Sequence, residues 1–203
     1  MSQLKLTADS GGGTVAIKAP ASTTGNAALE LTVPGTASTT LDSLNRAGNI
    51  LQVVQHTHSS QTSTTGNTFV ATGLSGSITT TAANSKILVM VSQNFYIAGD
   101  ASTGGGINVN RVISGTETVL DDGPRSSTGP YGLWAGFSSG AGHSHYSRYN
   151  IQYLDSPSQT AGTSITYNTK MASYSSSYTI VTQVGNTNLK DGTSYLTLME
   201  VAA

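Results

Sequence analysis

Four histidines fall in two His-x-His pairs, His56-Thr57-His58 and His143-Ser144-His145. On a strand, residues i and i+2 point to one face, so each pair would present two imidazoles side by side. Two imidazoles are an incomplete metal site, whereas a threefold axis would gather six, enough for octahedral coordination of a borderline transition metal. The simpler reading is polar strand-end histidines facing water, and the spacing alone favours it. Carboxylates are sparse: Asp100, Glu117, Asp121, Asp122 and Asp155 precede Asp191 and Glu200 in the body of the chain. Asp121-Asp122-Gly123-Pro124 could offer an acid pair to a glycosidase or a calcium ion, but Asp-Gly before Pro is a turn signal first. Asp155-Ser156-Pro157 likewise reads as a turn opener. No Gly-x-Ser-x-Gly elbow occurs, and no motif implies a cofactor, so the chain is read as a protein without enzymatic activity.

Aromatic residues carry the strongest signal for binding. Tyr131, Trp134, Phe137, Tyr146, Tyr149, Tyr153, Tyr167, Tyr174 and Tyr178 are set among Ser and Gly rather than among aliphatics. Tyr and Trp supply rigid amphipathic surface at low entropic cost, while Ser, Gly and Asn adapt their hydrogen bonds. Segments 126–149 and 173–178 are therefore the candidate contact surfaces, with Tyr131, Trp134, Phe137, Tyr146, Tyr149, Tyr174 and Tyr178 as candidate ligand residues. The competing reading is that many of these rings fill the core or a subunit interface.

The elements that would position these residues follow from composition. Of 203 residues, 28 are Ser, 30 Thr and 23 Gly, types that make poor helix interiors, and only 9% are charged. A helical bundle is excluded. Nine Lys and Arg against ten Asp and Glu leave no basic excess for phosphate contacts, so nucleic acid is set aside. There is no cysteine, hence no disulfide framework and no thiolate ligand. No apolar run approaches a membrane span and the first ten residues do not read as a secretory leader, which predicts a product made in the cytoplasm.

Residues 1–40 contain no aromatic residue and hold three short β-rich stretches, Leu4–Thr7, Val15–Ala19 and Leu29–Val33. Such strands bury too little to stand alone, so this arm is expected to be held by partner chains. Residues 41–49 read as a short helix or turn. Thr39 and Asp42 suit a loose capping pair, Gly48 suits the position past a helix end, and Leu41 and Leu44 are candidate contacts between subunits. From Ile50 to Ala203, eleven β-rich runs, among them Thr68–Ala71, Ser77–Thr80 and Lys86–Ile97, are separated by Gly, Asn, Asp, Pro and Ser clusters, with period-two alternation in Ile107–Ile113 and Tyr195–Val201. The expected fold is all-β: an extended N-terminal arm followed by a jelly-roll-like antiparallel sandwich.

The arm Leu4-Lys5-Leu6-Thr7, Val15-Ala16-Ile17-Lys18-Ala19-Pro20 and Leu29-Glu30-Leu31-Thr32-Val33-Pro34 resembles the opening of tail-fibre-like structural proteins of tailed phages, particularly those of marine bacteria and cyanobacteria. The body is similar to their carboxyl-terminal domain at Leu51-Gln52-Val53-Val54-Gln55, Thr72-Gly73-Leu74-Ser75, Ser85-Lys86-Ile87-Leu88-Val89, Tyr153-Leu154-Asp155-Ser156-Pro157 and Leu198-Met199-Glu200-Val201-Ala202-Ala203. Residues 99–147 match none of these blocks. The resemblance implies a homotrimeric virion protein whose residues 1–40 dock on other virion proteins and whose residues 50–203 form a β-sandwich head that meets a host receptor or glycan. A capsid-surface decoration protein without a specific ligand, or a carbohydrate-binding lectin, would suit the same chain.

Overall fold

The computed structural model describes residues 3–7, 14–18, 47–97, 103–120, 134–138, 145–173, 179–184 and 192–203, the first two segments and 134–138 as backbone. They contain thirteen strands and no helix. The chain divides into two compact units, Met1–Leu41 and Asp42–Ala203. In the first, β1 (Gln3–Thr7) pairs antiparallel with β2 (Thr14–Lys18), from Gln3 opposite Lys18 to Thr7 opposite Thr14. The third expected stretch, Leu29–Val33, lies outside the described residues, as do Leu41 and Leu44. Gly48 takes a left-handed φ of 87°, and its N–H donates to the Ala202 carbonyl at 3.0 Å, tying the start of the second unit to its last strand.

The second unit contains β3 (Ile50–His58), β4 (Thr62–Thr64), β5 (Val70–Thr79), β6 (Lys86–Ile97), β7 (Thr103–Ile113), β8 (Thr116–Val119), β9 (Trp134–Ser138), β10 (His145–Asp155), β11 (Ser164–Ser173), β12 (Ile180–Thr182) and β13 (Ser194–Val201). One sheet runs β3-β13-β6-β10, with β12 and β4 extending it beside the far end of β6; the other runs β5-β11-β7, with β8 and β9 both on the outer side of β7. Treating β8 and β9 as one row and setting aside β4 and β12 leaves eight rows. In chain order the first pairs with the eighth, the second with the seventh, the third with the sixth and the fourth with the fifth. That is a long antiparallel ribbon wound on itself, closed by the β13–β6 and β11–β7 pairings, and it is the jelly-roll arrangement.

Alternation fixes which face each strand buries. In β6, Ile87, Val89, Val91, Phe95 and Ile97 point inward and are at most 2% exposed; Leu196 and Leu198 of β13 stand beside them on the same sheet, and Ile165, Tyr167 and Met171 of β11 enter the same core from the other sheet. Each such side chain removed from water contributes about 1.5–3 kcal/mol. The many hydroxyls are accommodated because they find partners: Thr72 Oγ1 meets Thr169 Oγ1 at 2.5 Å in the interior, and Thr80 Oγ1 donates to the Thr160 carbonyl at 2.7 Å. The β7–β8 hairpin turns on Ser114-Gly115, both at positive φ (49° and 81°), the two-residue turn whose twist matches the flanking strands.

Two expected strands, Thr68–Ala71 and Ser77–Thr80, are one strand, β5. Gly73 interrupts its pattern because the strand bulges there: Asn168 pairs with Ser75 and Lys170 with Ala71, and Gly73 adopts φ 88°. Strand β4 has no counterpart in the sequence reading. It is three residues of Thr-Ser-Thr whose pairing with β12 only the fold supplies.

Candidate functional site

The structure sorts the candidate residues by where the strands carry them. Tyr131, His143, Tyr174 and Tyr178 lie outside the described residues. Trp134 and Phe137 sit on β9, opposite Ile107 and Gly104 of β7. Tyr146 opens β10, is 46% exposed, and lies beside the Tyr96 ring with centroids 4.4 Å apart. Tyr149, expected among the contact residues, is placed in the core instead. It is buried and meets Phe95 edge-on at 5.4 Å, and burial pushes its phenol above the ordinary value against a hydrogen bond with Ser147. The period of two puts it on the opposite face of β10 from Tyr146 and Arg148.

His56 and His58 do share a face of β3, and that face turns toward β5. A Cβ on Gly76 would stand 2.1 Å from the His56 ring, and one on Gly73 2.2 Å from that of His58. Each imidazole therefore lies directly on glycine backbone, and His56 Nε2 also meets the Ser77 carbonyl at 3.2 Å. Among the described residues no group of three or more His, Cys, Asp or Glu side chains comes together. The contact makes a prediction: Gly76→Ala should destabilise the protein by about 1–3 kcal/mol through overpacking. The same change in a His56→Ala background should be nearly neutral. Denaturant melts of the two single variants and the double variant measure that coupling.

Asp155 ends β10, as a turn opener should, but its side chain reaches inward. Its carboxylate accepts from Arg111 Nη1 of β7 at 2.7 Å and from the wholly buried Tyr167 hydroxyl of β11 at 2.8 Å. Burial first, and then the adjacent Asp155 charge, pushes the Tyr167 phenol well above its usual range. Glu200 is also turned inward with no solvent exposure, beneath the turn joining β5 to β6. Its carboxylate accepts from Thr81 N (2.8 Å), Thr81 Oγ1 (2.8 Å), Ala82 N (3.1 Å) and Gln52 Nε2 (2.6 Å). Both acids are fully engaged in holding elements together.

The outer face of the β3-β13-β6-β10 sheet is different in character. Register aligns Val53, Met199, Leu88 and Leu154 in one row across all four strands, with Val53 54% and Leu154 51% exposed. The next row is Gln55, Thr197, Met90 and Gln152, and the one after it Thr57, Tyr195, Ser92 and Asn150. Between these two polar rows lies a cleft of about 300 Å³, lined by Gln55, Met90, Ser92, Asn150, Gln152, Tyr195 and Thr197 with the backbone of Val91 and Ile151 beneath. Among the described residues no charged side chain lines it. Arg148 braces one end: its guanidinium lies 5.7 Å from the Tyr195 ring centroid, and Nη2 donates to the Thr193 carbonyl at 2.9 Å. Sequence reading missed this cleft because its members are single amides and hydroxyls, one or two per strand, and only cross-strand register gathers them.

Fold and sites together define a jelly-roll β-sandwich in which Asp155, Glu200, His56 and His58 are taken up by packing, His145 stands exposed at the start of β10, and one outer sheet face offers a neutral cleft. No family model and no curated protein matches the chain. Among solved structures it is similar to that of infectious bursal disease virus Gx strain, at 14% identity and a TM-score of 0.33, over 94% of this chain and 46% of the other. The structure of the Gt strain gives 13% identity and a TM-score of 0.34, over 94% and 45%. The chain thus spans about half the length of the solved chains it matches.

Proposed function

We propose that this chain is a non-enzymatic structural protein of a virion, a homotrimeric phage tail fibre that docks through residues 1–40 and meets the host surface with its sandwich. The observation that carries the reading is the combination of a separate N-terminal two-stranded unit with a jelly-roll body, the body being of the kind found in viral capsid and lectin domains. The sequence resemblance to phage tail-fibre-like proteins supports the same assignment. A hairpin of two five-residue strands cannot offset the ordering cost of about 1–2 kcal/mol per residue by itself, and that favours assembly.

Sedimentation equilibrium of the full chain at micromolar concentration should give three times 20.8 kDa. A monodisperse folded monomer ends the trimer reading. Immunogold labelling with an antibody to the sandwich then separates a tail fibre from a capsid-surface decoration by where on the particle the gold sits.

A further inference from the structure

We infer that the cleft on the outer face of the β3-β13-β6-β10 sheet is a binding site for a neutral saccharide of one or two rings. The inference deepens the adhesive reading above and rests on it for its biological setting. Gln55, Asn150 and Gln152 each bring a primary amide able to donate and accept at once, and Ser92 and Thr197 add hydroxyls that do the same. A partner satisfied by such a set must alternate donors and acceptors over a short distance, as vicinal sugar hydroxyls do.

The apolar part of the cleft has the complementary form. Met90 forms its floor, and Tyr195, 39% exposed, forms a wall against which the C–H face of a pyranose can lie. Tyr195 is held in place: Arg148 occupies one side of its ring and also approaches Ser92 Oγ at 3.4 Å, so wall and hydroxyl are positioned by one guanidinium. Gln55 is steadied by its Nε2 bond to Thr197 Oγ1 at 3.1 Å. Such restraint lowers the ordering cost of binding. Acidic ligands are disfavoured because no charged side chain among the described residues lines the cleft. Most of its exposed lining is carbon, which suits the C–H face of a sugar with the amides and hydroxyls at its edge, and a long apolar ligand exceeds its volume. The volume of about 300 Å³ stands at the small end of ligand pockets, which sets the one- or two-ring limit.

The test uses the full chain, isotopically labelled, titrated with a panel of neutral monosaccharides and disaccharides and, separately, with sialylated and sulfated glycans. At least one neutral sugar should shift the side-chain amide resonances of Gln55, Asn150 and Gln152 in a saturable way. Asn150 and Gln152 are exposed, so the double variant Asn150→Ala/Gln152→Ala should fold as wild type, with an unchanged melting temperature, and bind about tenfold or more weakly. Tyr195→Phe should retain binding and Tyr195→Ala lose it. The inference is overturned if no neutral sugar shifts these amides, if only charged glycans do, or if the stable double variant binds as wild type. Adsorption of the full chain to bacterial cells is measured alongside. A chain that adsorbs to cells while its cleft binds no neutral sugar keeps the adhesive reading and removes the cleft from it, whereas absence of adsorption strikes the adhesive reading itself.

Discussion

Replacing Glu200 by Ala should cost the sandwich about 3 kcal/mol, the scale seen when a buried charged group is taken from its partners. The carboxylate sits where the alternation of β13 would place another core residue, yet it accepts four hydrogen bonds within 3.1 Å. Two come from successive backbone N–H groups, Thr81 and Ala82, that have no strand partner in the β5–β6 turn. Removing the acid orphans these donors and frees Gln52, whose amide also donates to the Thr79 carbonyl. Glu200→Gln should recover only part of the loss, because its NH2 must face a donor on one side of the turn.

The same geometry sets a pH dependence. Burial pushes the Glu200 carboxyl up, but hydrogen bonds from Gln52, Ser85, Ala82 and Thr81 together outweigh it and hold the group below its ordinary value. A carboxyl lowered in the folded state contributes fully above its unfolded pKa of about 4.3, and that contribution is lost as pH falls through the folded value. Wild-type stability should therefore drop below about pH 4, and Glu200→Gln should lack that component of the drop. Urea melts of both proteins between neutral and acid pH measure it, and parallel curves would remove Glu200 from the account.

Asp155→Ala should destabilise by about 3 kcal/mol, and Tyr167→Phe by about 1 kcal/mol. The difference follows from what each change leaves behind. Without Asp155, the half-buried Arg111 guanidinium and the wholly buried Tyr167 hydroxyl both lose their acceptor, whereas Tyr167→Phe leaves Asp155 still paired with Arg111 at 2.7 Å. Because Asp155 belongs to one sheet and both partners to the other, the loss falls on the packing of the two sheets. In a Tyr167→Phe background Asp155→Ala should cost less than in wild type, since one of the two orphans is already gone. A double-mutant cycle by denaturant melts reads that coupling, and strict additivity would refute it.

Much of the strand framework was legible in the sequence, and the reasons are local. Lys86–Ile97 is a β-branched, aromatic run between polar turns, and its observed bounds coincide with the expected ones. Alternation in Tyr195–Val201 separated a buried from a wet face, because a period of two survives any tertiary arrangement, and the structure buries the face that carries Leu196 and Leu198. Where a backbone irregularity broke the period, the reading failed. The bulge at Gly73 split β5 in two, and Thr62–Thr64 carries no hydrophobic signal at all.

Side-chain roles were less legible, because they depend on what a neighbouring strand brings opposite. His56-Thr57-His58 could be placed on one face of a strand from its spacing, but the glycines beneath the rings belong to β5, and no rule of sequence links them. Tyr149 and Tyr146 looked alike among Ser and Gly until register put one against Phe95 and the other in water. The sequence by itself determined an all-β chain of low charge, without cysteine, whose sandwich strands run from Ile50 to Val201, since composition and period are properties of the chain alone. Tertiary structure decided the pairing of first strand with last, the inward turn of Asp155 and Glu200, and the gathering of Gln55, Asn150, Gln152 and Tyr195 around one cleft. Those depend on contacts between residues up to about 150 positions apart, which the order of residues along the chain does not encode locally.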